Sequence, residues 1–210
     1  FIFPFKYILK ALRDYLINNR FIRDQIIYKL PRYKIYSIFD GLDENSIVID
    51  LGASVGNVSK YIFDKFNCRI ECYEPNIVCF NILNKRFSKN HKINTYNSAV
   101  SNSAGKEKLY LSSLNIEKKN LLIFSQSSTL DKEKSNINND NYILVNVVDI
   151  NSILKKFKYI DLIKIDIEGS EYNILDILVE NRHKIGKIVC ELHDKSPNQS
   201  ISKNKIIQKL

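Results

Sequence analysis

The sequence predicts an α/β fold, a mostly parallel sheet with helices on both faces. Three observations predict it. Ile47-Val48-Ile49-Asp50-Leu51 is an apolar run that passes through Gly52-Ala53-Ser54-Val55-Gly56 into a helical pattern from Asn57. Arg69-Ile70-Glu71-Cys72-Tyr73-Glu74-Pro75 repeats the arrangement, with an acidic residue where the strand ends. Ile160-Asp161-Leu162-Ile163-Lys164-Ile165-Asp166-Ile167-Glu168-Gly169-Ser170-Glu171 does so a third time.

Taken in order, residues 1–40 read as an N-terminal helical cap. Tyr7 to Leu16 has helical spacing, and Pro31 separates it from a second short piece. Residues 41–210 read as one domain. Its strands are expected near 47–51, 69–74, 93–100, 160–166 and 187–192, and its helices near 56–66, 76–88 and 170–181. Pro75 suits a helix start, because its missing N–H would be unpaired there anyway. Between Lys106 and Asp149 the pattern changes. Lys106–Leu111 and Tyr142–Val148 look like paired strands around a polar stretch, Ser125 to Asn141, which is expected to be a loop.

Ligands of open parallel sheets bind outside the carboxyl ends of the strands. Asp50, Glu74, Asp166 and Glu168 should therefore converge on one edge. The glycines at 52 and 56 are four apart, unlike the G-x-G-x-x-G of a dinucleotide loop, and a carboxylate at Asp50 would repel a diphosphate. A ligand with a cationic end fits better, and S-adenosylmethionine has both an ammonium and a sulfonium. Glu74 follows the glycine turn by roughly 20–25 residues, the spacing at which an acid accepts ribose hydroxyls. Glu168 and Glu171 also suit a plainer role as negative charges at a helix N-terminus.

These segments, with Ala99-Val100-Ser101 and Glu191-Leu192-His193, resemble the FkbM family of S-adenosylmethionine-dependent methyltransferases. The resemblance runs from about Ser46 to His193, and Ile165-Asp166-Ile167-Glu168-Gly169-Ser170-Glu171 is its most specific part. It implies a Rossmann-like methyltransferase fold and O-methylation of a hydroxyl on a small molecule or glycan. Ser54 stands where the family often has Asn. Only Ile201 to Leu210 remains for a last element, so the resemblance also implies that a C-terminal hairpin is lacking.

On this reading Asp50, Gly52, Ala53, Gly56, Asn57, Glu74, Pro75, Ala99 and Asp166 bind the cofactor, with adenine near Ser98-Ala99-Val100. Gly52 and Gly56 let backbone approach it closely. His193, Asp166 and Glu168 are the candidates for the base that takes the acceptor proton. His193 follows an apolar strand on the same expected edge. No dense run of ligand types appears, so no metal is expected. An inactive methyltransferase-like binding or scaffold protein is one alternative, and an NAD-dependent oxidoreductase is another, though its loop spacing is wrong.

Composition sets outer bounds. With 210 residues, 44% hydrophobic and 26% charged, the chain can bury a real core. The net charge of +9 points to an anionic partner, such as an acidic glycan, or to a lysine-rich solvated surface. No basic block with interleaved aromatics appears, so nucleic acid is not expected. Cys68, Cys72, Cys79 and Cys190 include no Cys-x-x-Cys pair and read as reduced thiols, which suits a cytoplasmic setting. No apolar run of about 18 residues is present, so no transmembrane segment is expected. The chain has no methionine, even at its start, and reads as a segment of a longer frame.

Overall fold

In the computed structural model, the described residues are 39–112, 128–130, 137–168 and 170–191. By internal contact the chain divides into residues 1–40 and 41–210, and nearly everything described belongs to the second unit. The expected helical cap lies outside the described residues, as do Leu192 and His193.

Five strands form a parallel sheet: β1 (Ile47–Leu51), β2 (Arg69–Tyr73), β3 (Ile93–Tyr96), β7 (Ile160–Ile165) and β8 (Ile185–Cys190), in the order β3-β2-β1-β7-β8. β1 and β7 are central and paired in register, with Asp50 opposite Lys164. Central strands of a parallel sheet are covered on both faces, hence their nearly unbroken apolar sequence. Along them, alternate residues face opposite layers. Ile49, Leu51, Tyr73, Ile163 and Ile165 join the main core with α3 (Ile150–Leu154) and α4 (Tyr172–Glu180). Asp50 and Cys72 face the other way and meet Ser59 on α1 (Asn57–Phe66). Helices thus cover both faces.

The second helix, α2 (Ile77–Phe87), is started by Asn76, whose side chain accepts a hydrogen bond from Val78 N. Pro75 therefore precedes the cap rather than opening the helix. The expected strand over 93–100 is in fact two. β3 ends at Tyr96, and β4 (Ala99–Ser101) belongs to a second sheet with β5 (Gly105–Ser112) and β6 (Ile137–Asp149), in the order β4-β6-β5. The break falls where Asn97 turns its amide toward the Glu74 and Pro75 carbonyls, at 3.0 Å from each.

The paired strands expected after Lys106 are present and longer than expected, as β5 (Gly105–Ser112) antiparallel to β6 (Ile137–Asp149). Ile137 to Asn141, expected as loop, is strand, and Thr129 bridges to Tyr110. Two short elements were not expected. α3 is capped by Asp149, which accepts from Asn151 N, and a 3-10 turn spans Arg182–Lys184. None of the four cysteines forms a disulfide: Cys68, Cys72 and Cys79 are buried and Cys190 is half-buried. Among the described residues no helix is long and apolar enough to cross a membrane.

Candidate active site

The carboxyl ends of β1, β2 and β7 open onto a cavity of about 350 Å³, within the size range of small-molecule sites. Gly52, Ser54, Glu74, Pro75, Asp166 and Glu168 line it from the main sheet. Ser98, Ala99, Val100 and Leu109 line it from the second sheet. The small sheet thus walls the side that the main sheet leaves open.

The glycine turn owes its shape to the strands around it. Gly52 has φ +76°, and a Cβ there would lie 1.9 Å from the carbonyl oxygen of Asp166. The N–H groups of Gly52 and Ala53 both donate to Tyr73 O, and Asp166 N donates to Leu51 O. The turn is clamped between its two neighbouring strands. Gly56 has φ +80°, and a Cβ there would meet the ends of Phe87 and Leu83 on α2, so its bareness serves helix packing. Asn57 is exposed and accepts from Arg86. Ala53 is buried. Gly56, Asn57 and Ala53 thus lie outside the residues that line the cavity.

Glu74 is buried, not a solvated loop acid. One carboxylate oxygen accepts from Ser54 N and the other from Asn76 N, each at 2.8 Å. Burial raises its pKa to about 7, although both backbone donors pull it down. Ser54, which donates to it, holds a left-handed φ of +51°. Glu168 does likewise at +58°; such backbone strain in non-glycine residues gathers at ligand sites.

Asp50 does not reach the cavity. It is fully buried beneath the turn, where Ser59 Oγ donates to its Oδ2. Its Oδ1 takes no well-directed hydrogen bond and is compensated by the Lys164 ammonium at 3.1 Å. That ammonium also donates to Gly52 O at 2.8 Å and lies 3.6 Å from Asp166 Oδ2. Burial opposes the lysine's charge, but Asp50 and Asp166 outweigh it, and its pKa lies above the ordinary value. The sequence singles out Lys164 only as a lysine inside an apolar strand; its place beside Asp50 follows from the pairing of β1 with β7.

Ser98 Oγ is buried in the cavity wall and has no hydrogen-bond partner among the described residues. An orphaned hydroxyl facing a cavity is a place for a ligand's polar edge. Among the described residues no three His, Cys, Asp or Glu side chains group as metal ligands do.

The Methyltransferase FkbM domain matches residues 50–210. The chain belongs to the FkbM methyltransferase family. Its main sheet, parallel in the order β3-β2-β1-β7-β8 with helices on both faces, is Rossmann-like. No curated protein matches the chain significantly. Among solved structures, the MccD protein is similar over 30% of this chain and 29% of its own, with 20% identity and a TM-score of 0.27. Precorrin-6y C5,15-methyltransferase from Geobacter metallireducens GS-15 is similar over 80% of this chain and 63% of its own, with 11% identity and a TM-score of 0.41. The precorrin 8w decarboxylase of Methanobacterium thermoautotrophicum is similar over 84% and 68%, with 12% identity and a TM-score of 0.45. The chain thus spans less than two thirds of the first two of these proteins.

Proposed function

We propose that this FkbM-family chain transfers a methyl group from S-adenosylmethionine to a hydroxyl oxygen of a small molecule or glycan. The observation that carries the reading is Glu74. A buried carboxylate at the end of β2 borders the same cavity as Gly52 and Asp166, the ends of the two central strands. Two backbone N–H groups fix it, and it retains lone pairs for a ligand's hydroxyls.

S-adenosylmethionine supplies a methyl group already activated on a sulfonium, so the protein's work is to hold, align and exclude water. On this reading Glu74 accepts the ribose hydroxyls. Ser98 offers its unsatisfied hydroxyl to the adenine edge, between Ala99, Val100 and Leu109. The Gly52–Ser54 backbone and Asp166 face the methionine end. Asp166, Glu168 and His193 remain the candidates for the base, and the first two border the cavity. Calorimetry with S-adenosylmethionine and with NAD tests the reading: micromolar binding of the first and none of the second is expected. Binding of NAD alone would overturn it.

Among the described residues, the charged side chains of the cavity wall are the carboxylates Glu74, Asp166 and Glu168. That set favours a neutral acceptor, a sugar or polyol hydroxyl, over the anionic one suggested by net charge.

A further inference from the structure

Through its ammonium, Lys164 contacts the ends of both central strands. It lies on β7 directly beside Asp50 on β1, with only 8% of its surface exposed. Compensating Asp50 would need a single contact, and a buried ion pair is commonly replaceable by apolar side chains without loss of stability. The ammonium does more than that. It donates to Gly52 O and stands 3.6 Å from Asp166 Oδ2. Gly52 and Asp166 border the cavity, whereas Asp50 and Lys164 do not.

We infer that Lys164 is a positioning residue that ties the Gly52 turn to Asp166, aiming one carboxylate at the cationic end of the ligand. This rests on the cofactor reading above. Charge supports it. Among these three groups, Asp50 and Asp166 bring two negative charges and Lys164 one positive, a net negative charge that suits a ligand cation. The part of that charge a ligand can reach is on Asp166, whose side chain is 34% exposed, while Asp50 is sealed off. Without Lys164, Asp50 and Asp166 would lose the cation they share, and their like charges would repel each other beneath the site. Besides these groups, Glu74 acts on the ammonium from the end of β2, and Cys72 and Ser59 border Asp50 from β2 and α1.

Loss of Lys164 alone strands a buried charge, so the test removes both partners. Asp50→Asn/Lys164→Met and Asp50→Asn/Lys164→Gln keep the net charge of the cluster, and Gln can still donate to Gly52 O. Circular dichroism and thermal melts establish folding. Both variants should bind S-adenosylmethionine roughly ten- to a hundredfold more weakly than the parent, the scale of a charge-assisted hydrogen bond. Asp50→Asn alone should fall short of that loss. Because Lys164 faces Asp166 at 3.6 Å, the pH profile of the affinity should differ between the parent and the double variants, and adding Asp166→Asn should remove that difference. In the ligand-free protein, amide exchange at Gly52–Ser54 and Asp166–Glu168 should quicken, a readout that holds whatever the ligand. If the parent itself fails to bind, the cofactor reading falls, and exchange alone decides on Lys164. Folded double variants with the parent's affinity, pH profile and exchange would overturn the inference. So would failure of both to fold, which would make the ammonium a requirement of the sheet alone.

Discussion

Glu74 shows how one buried carboxyl couples stability, pH and binding. Its pKa is raised from 4.5 to about 7 by burial. A carboxyl raised in the folded state favours folding most below its unfolded pKa, and the benefit is lost as pH rises through the folded value. The ligand-free protein should therefore lose roughly 3 kcal/mol from this group between about pH 4.5 and pH 7. Denaturant melts of the parent and of Glu74→Gln should differ in pH slope over that window. Ligand hydroxyls favour the ionised form, so binding near pH 6 should release a proton, seen as buffer-dependent heats that vanish at pH 8.5 and in Glu74→Gln. At saturating pH, Glu74→Ala should weaken S-adenosylmethionine by about 1.5–3 kcal/mol; equal affinity in a folded variant would remove Glu74 from the site. Ser54 offers a smaller test. Its φ of +51° suits Asn better than Ser, which gives a physical reason for the asparagine often found there in the family. Ser54→Asn should raise stability by about 0.5–1 kcal/mol, provided the 2.8 Å bond from its N–H to Glu74 is kept.

At the scale of elements, the two glycines of the turn differ in what surrounds them. A Cβ at Gly52 would collide with the backbone of Asp166, which cannot move without parting β1 from β7. A Cβ at Gly56 would meet the ends of Phe87 and Leu83, which can swing. Gly52→Ala should thus cost more than about 4 kcal/mol, the exceptional range, and Gly56→Ala about 1–3 kcal/mol, mostly from backbone strain and repacking. Chemical denaturation of the two variants checks the order. Gly52→Val should likewise fail to fold rather than leave a folded chain with a blocked cofactor site. The sequence showed Gly52 only as a glycine that lets a cofactor approach; the backbone of Asp166 behind it was not legible. Periodicity placed β1, β2, β7, β8 and their helices, because each is a long apolar pattern ending in turn chemistry. The split of 93–100 into β3 and β4 was not legible. It depends on Asn97 reaching the Glu74 and Pro75 carbonyls, which are remote in sequence. The convergence of Glu74, Asp166 and Glu168 followed from strand ends alone. The burial of Asp50 and the bridging by Lys164 depend on strand order and register, which no single segment carries.

The whole molecule carries its charge unevenly. The chain is +9 overall, yet the described wall of the cavity holds Glu74, Asp166 and Glu168 and no lysine or arginine. These two facts act at different ranges. Surface lysines set a long-range field that gathers anions and weakens with salt over a Debye length of roughly 8–10 Å. The carboxylates act on whatever has entered. A phosphate or carboxylate held about 6 Å from one of them meets a repulsion of roughly 3 kcal/mol at an effective dielectric of about 20. An anionic acceptor should therefore be drawn toward the molecule and then disfavoured in the site. Methyl transfer to a neutral sugar should exceed transfer to its phosphorylated counterpart by about a hundredfold in kcat/KM. The gap should narrow in Glu168→Gln if that carboxylate faces the acceptor, and stay unchanged if the acceptor sits beyond its reach. Added salt should lower the encounter rate of the anion while leaving the neutral acceptor nearly unaffected. A phosphorylated acceptor turned over as fast as the neutral one would mean that a cation outside the described wall completes the site, and the neutral-acceptor reading would fall.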